Sequence, residues 1–140
     1  MTASHSFDGS IAVVRFEGRY PTREAKAAVS AAFADPHCPA LTGILFDLRD
    51  SLSIVERSAE EVQDMMRFVV LCARVAGARI GLVAPSNDVA FDLLRTGAAT
   101  AEQHGLKPGV FRTIDEARRW LRGDERPREG YRPSSGELAP

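Results

Sequence analysis

The stretch Gly43 to Ser58 constrains the fold more than any other part of the chain. Thr42 to Leu48 reads as a central strand built on Ile44-Leu45-Phe46, an apolar run of the kind buried on both faces of a parallel sheet. Asp47, Arg49, Asp50 and Ser51 then follow, and Ser58 to Glu61 spells a capping box that starts a helix. A buried strand ending in charged residues at a helix mouth is where open α/β sheets place their sites.

The flanking sequence supplies the remaining layers. Ser6-Phe7, Asp8-Gly9 and Ile11 to Phe16 predict a β-hairpin, with Asp8-Gly9 providing the positive φ angles of a tight turn. Thr22 is the predicted N-cap of a helix with Ala25, Ala28, Val29, Ala32 and Phe33 at helical spacing, which stops at Asp35-Pro36. The helix from Ser58 carries a core stripe of Val62, Met65, Met66, Val69, Cys72, Ala73 and Ala76, and ends at Gly77. Ile80 to Ala84 is a further strand. Pro85 to Asp88 caps a helix reaching about Gly105, with Phe91, Leu94, Ala98 and Ala101 on one face and Gly97 marking close packing. Val110 to Arg112 is a last strand, and Thr113 to Glu116 opens a helix that buries Ala117, Trp120 and Leu121.

With 140 residues the chain fits one domain, able to bury about two-thirds of its unfolded surface without a disulfide or metal. A net charge of −1 gives no field that would gather polyanions, so nucleic acid is not an expected partner. Cys38 and Cys72 lie in unrelated contexts and outside any metal-ligand spacing, which predicts reduced thiols and a cytoplasmic protein. No apolar run is long enough for a membrane span, and Met1 to His5 lacks the basic and apolar regions of a signal peptide.

The order hairpin, helix, strand, capped helix, strand, helix, strand, helix now stands beside three local motifs. These are Ile44 to Arg49, the strand end Val83 to Pro85, and the closing Val110 to Leu121. Together they resemble the STAS fold, more narrowly the SpoIIAA-like (STAS/SEC14-type) bacterial proteins, over about residues 6 to 122. The resemblance implies an α/β domain over residues 1–122 with a mixed β-sheet, an N-terminal hairpin and about four helices. Residues 123–140, rich in proline and charge, read as a disordered tail. It also implies a non-enzymatic regulatory or protein-interaction module, with a SEC14-like carrier or sensor of a small apolar ligand or lipid as the alternative. Phosphorylatable STAS antagonists carry an Asp-Ser-Ser-Gly-like or Asp-Ser-Thr-Gly-like motif after the central strand. Here Val55-Glu56-Arg57-Ser58 stands in that neighbourhood, so Ser58 alone corresponds in type.

The candidate residues follow from these placements. Asp47, Arg49, Asp50 and Ser51, with Ser86 and Asn87 leaving the neighbouring strand, line a potential crevice for a ligand or partner; equally, Arg49 pairs with Asp47 or Asp50 and holds the loop. Ser58 is either a plain N-cap or a phosphate acceptor at the positive end of a helix, and Ser51 and Ser53 are weaker versions of the same idea. Phe68, Leu71 and Val75 form a second apolar stripe that needs a cover, from a second copy in a homodimer, a protein partner, the tail or another helix of the domain. Met65, Met66, Phe91 and Leu94 either wall a ligand pocket or fill the core. His5, His37 and His104 are isolated in sequence, so neither a metal site nor a cofactor is expected, and the common catalytic motifs are missing.

Overall fold

The computed structural model describes residues 3–103, 105 and 108–123. His104 and residues 124–140, where the tail was expected, lie outside the described residues. The chain forms an α/β fold. In order its elements are β1 (Ala3–Asp8), β2 (Ile11–Gly18), α1 (Thr22–Ala34), β3 (Gly43–Ser51), a 3₁₀ turn (Ile54–Glu56), α2 (Ala59–Ala76), β4 (Arg79–Val83), α3 (Asp88–Glu102), β5 (Gly109–Phe111) and α4 (Ile114–Arg122). The strands lie in the order β1-β2-β3-β4-β5, with β1 antiparallel to β2 and the rest parallel. The apolar run of β3 thus occupies the middle of the sheet.

The two faces of the sheet are covered unequally. Ala12, Val14, Phe16, Ile44, Phe46, Leu48, Ile80 and Leu82 point to one side and pack against α1, α2 and α3 in the larger core. Ile11, Leu45 and Val83 point to the other, where Ala117 and Leu121 of α4 close a second, smaller core. Strand alternation divides these two sets. α4 lies over β3, β4 and β5. Asp8 anchors its last turns, accepting from Arg122 at 3.2 Å with Arg118 at 3.5 Å. Trp120 is half-buried instead of buried, with the guanidinium of Arg79 over its ring at 4.0 Å.

Three local features differ from the sequence reading. The hairpin closes on Gly9-Ser10, since Asp8 already pairs with Ile11, and only Gly9 takes a positive φ, of 61°. The N-cap of α1 is Pro21, which makes no side-chain bond; Thr22 is the first helical residue, and its hydroxyl accepts from Arg57. β3 runs three residues beyond Leu48, because Gly18 and Ser51 still pair after a bulge.

That bulge decides which residues share a site. Arg15 pairs with Asp47 and Glu17 with Asp50, so β3 spends three residues where β2 spends two. The extra residue resets the side-chain alternation, as β-bulges do. Asp47 and Asp50 therefore face the α4 side, where Arg15 reaches both, and Ser51 turns to the opposite side to meet the Tyr20 hydroxyl.

Candidate functional site

The C-terminal end of the parallel strands holds two separate groups of polar residues. On the α4 side, Asp47 is 4% exposed and is held by its neighbour two residues on. Arg49 donates from Nε to Asp47 Oδ1 at 2.9 Å and from Nη2 to Oδ2 at 3.0 Å, and its backbone N–H donates to Oδ1 at 3.2 Å. Arg15 adds a cation 3.8 Å from Oδ2 and binds Asp50 through its Nη2. Burial alone would push the Asp47 carboxyl up, but the Arg49 bonds and the Arg15 charge outweigh it and hold the carboxyl below its ordinary range. Of the two sequence readings for Arg49, the structure places it in the internal pair with Asp47.

On the helix side, Tyr20 is the hub, a residue the sequence reading did not single out. Its ring stacks on Phe16 at 5.0 Å, and its hydroxyl is bonded to Ser51 Oγ. Ser53 Oγ accepts from the Tyr20 backbone N–H at 2.8 Å and lies 3.2 Å from its carbonyl. Arg57 closes the knot: it donates to the Tyr20 carbonyl at 2.7 Å and to Thr22 Oγ1 at 2.8 Å, with its guanidinium 5.2 Å from the Tyr20 ring centre. Burial pushes the Tyr20 phenol up. Ser51 and Ser53, both 4% exposed, thus belong to a buried bracing network around Tyr20.

One signal for Arg57 was present in the sequence. It precedes the N-cap of α2, a place where an apolar residue commonly packs against the fourth helical residue, here Val62. An arginine there breaks the usual pattern. For Tyr20, an aromatic between the strand break at Gly18 and Pro21 was the corresponding hint.

Ser58 caps α2 in the reciprocal way its motif requires: its Oγ accepts from Glu61 N at 3.1 Å, and Glu61 Oε1 accepts from Ser58 N at 3.0 Å. The Glu61 carboxyl is held below its ordinary range chiefly by that backbone bond. Replacing Ser58 with alanine is expected to cost about 1 kcal/mol, and replacing it with aspartate much less, because a carboxylate also caps. Urea unfolding of the two variants separates these outcomes; equal losses would show that the hydroxyl's cap is not the source.

The other candidates scatter. Asn87 accepts from Val89 N at 2.8 Å and Ala90 N at 3.1 Å, so it is the N-cap of α3, while Ser86 is exposed in the preceding turn. Phe68 separates from Leu71 and Val75: it packs half-buried against the larger core with Lys26 5.7 Å from its ring centre, whereas Leu71 and Val75 are 63% and 91% exposed. Its cover is therefore α1 of the same domain. His5 and His37, isolated in sequence, converge on Asp35, at 2.8 Å and 3.2 Å. The His37 backbone N–H first, and His5 second, pull that carboxyl down to about 2. Among the described residues no group of three or more His, Cys, Asp or Glu is arranged to hold a metal, and no helix is long and apolar enough to cross a membrane.

Beneath Tyr20 and Arg57 the larger core is incompletely filled. Phe46 and Leu48 of β3, Ile54, and Met65, Met66 and Leu94 border an apolar cavity with about 60 Å³ open to the centres of water-sized molecules. Three of the four pocket residues named from sequence line it. Phe91 does not; it lies under Arg112, whose guanidinium is 4.1 Å from the ring centre. Above the cavity runs a polar groove of about 310 Å³ in the same measure, lined by Arg19, Tyr20, Ser53, Glu56, Arg57 and Glu61. Tyr20 and Arg57 belong to both, so they form the boundary between them. No protein-family model matches the chain, and a search of characterised proteins finds no significant match.

Proposed function

We propose that this chain is a non-enzymatic, STAS-like regulatory or protein-interaction module working in a reducing, cytoplasmic setting. The carrying observation is how the polar groups at the end of the central strand are used. Asp47 is neutralised by Arg49, Ser51 and Ser53 brace Tyr20, and Ser58 and Asn87 cap helices. None is poised as a nucleophile or general base. Burial pushes the Cys72 thiol up, away from thiolate reactivity. The element order, the hairpin joined to a parallel sheet, and a capped helix starting just after the middle strand all agree with the STAS resemblance.

Native mass spectrometry of the chain purified from its own host tests this reading. A stoichiometric second chain, either another copy or a partner protein, is the expected result. A monomer carrying no other chain overturns the interaction module.

A second reading, a carrier or sensor of a small apolar ligand, is favoured by one specific observation: the cavity under Tyr20 and Arg57. Ligand sites are concave, mostly apolar and bordered by a few placed polar groups, and this region has that form. In the same spectra, a small molecule retained at one per chain supports it.

A further inference from the structure

The second reading leaves the ligand's chemistry open, and the boundary between cavity and groove narrows it. Among the groove's charged residues, Glu56 is taken by Arg19 at 2.8 Å and Glu61 by the Ser58 amide. Arg57 differs from both. Its two hydrogen bonds go to neutral acceptors, the Tyr20 carbonyl and the Thr22 hydroxyl, and no carboxylate among the described residues lies within ion-pair distance of it. A guanidinium offers five N–H donors in a rigid fork matched to a carboxylate, so most of its donor capacity is unspent. On its groove side the Glu61 carboxylate feels its charge from beyond ion-pair distance, and on its cavity side it borders Phe46, Met66 and Leu94.

Resting on the carrier or sensor reading, we propose that this cavity binds a small monocarboxylate with a compact apolar body, the carboxylate received by Arg57 and the body by Phe46, Met66 and Leu94. The cavity is small, about 60 Å³, which suits a compact body such as a short or branched alkyl chain or a single small ring better than a long fatty acyl chain. Tyr20 contributes shape and not charge, because its hydroxyl is already bonded to Ser51 and burial keeps its phenol protonated.

Titration calorimetry on the full chain tests this with three probes: hexanoate, hexan-1-ol and decanoate. Hexanoate is expected to bind at least about tenfold more tightly than hexan-1-ol, the scale of a charge-assisted bond made by one partner and not the other. Decanoate gains nothing over hexanoate. Arg57→Met removes the preference for the carboxylate while leaving hexan-1-ol binding in place, and Leu94→Phe, which fills the cavity, weakens both. Equal affinity of the wild type for hexanoate and hexan-1-ol overturns the assignment to Arg57 but keeps the apolar carrier. Binding of neither overturns both. The wild-type comparison decides the matter even if Arg57→Met fails to fold without its bonds to Tyr20 and Thr22.

Discussion

Replacing Leu121 with alanine is expected to destabilise the protein by about 2–5 kcal/mol, the range for emptying a packed leucine site. Leu121 is 3% exposed and sits at the centre of the smaller core with Ile11, Leu45, Val83 and Ala117. The sheet is shaped to receive it. A Cβ on Gly43 would lie 3.2 Å from Leu121 Cδ2, and one on Gly81 would lie 3.2 Å from Leu121 Cδ1. Glycine inside a strand forgoes side-chain packing, so two on adjacent strands are a cost that close approach of α4 offsets. Because α4 is the only helix among the described residues that packs on this face, the cavity left by Leu121→Ala has no second described layer to collapse onto it. Urea unfolding at pH 7 measures the loss. A change below about 1 kcal/mol would mean that α4 contributes little to the cooperative unit.

The same residues show what local sequence patterns carry and what they do not. The capping box at Ser58 and the apolar run of β3 each depend on neighbours a few residues away, and both form as the pattern requires. Gly97 was legible as a close-packing point, and a Cβ there would meet Val62 Cγ1 at 3.0 Å. The bulge was not legible, because it arises from pairing between β2 and β3, about thirty residues apart. Without it, Asp47 and Ser51 fall on one face by simple alternation; with it they serve opposite faces. Phe68 misled for a related reason: its angular position on α2 resembles that of Leu71, but only its own position lies under α1. The candidate site suffered most. Its hub, Tyr20 with Arg57, joins the end of β2 to the approach of α2, a juxtaposition made by the sheet order and not by any short motif.

Asp47→Ala is expected to cost about 2–3 kcal/mol near neutral pH, and the loss should depend on acid in a defined direction. Removing one member of a fully buried ion pair costs about 3–5 kcal/mol, because the other charge is stranded. Here the stranded groups are half exposed, with the Arg49 and Arg15 side chains 50% and 42% accessible, and they turn to water, which places the cost lower. The Asp47 carboxyl is depressed below its ordinary value of 3.8, so its contribution is fully present above that value and is lost as pH falls through the folded-state value. The gap between wild type and variant should therefore hold constant from pH 7 to about pH 5 and shrink below about pH 4. Asp35 and Glu61, also depressed, titrate in both proteins and cancel from the difference. A gap unchanged in acid would show that the side chain's packing, and not its charge, is what the strand end needs. Asp47 faces α4 while Arg57 borders the cavity on the opposite side of the sheet. The variant should accordingly unfold more easily yet, while folded, bind hexanoate with wild-type affinity, which separates the residues that hold the central strand from those that receive a ligand.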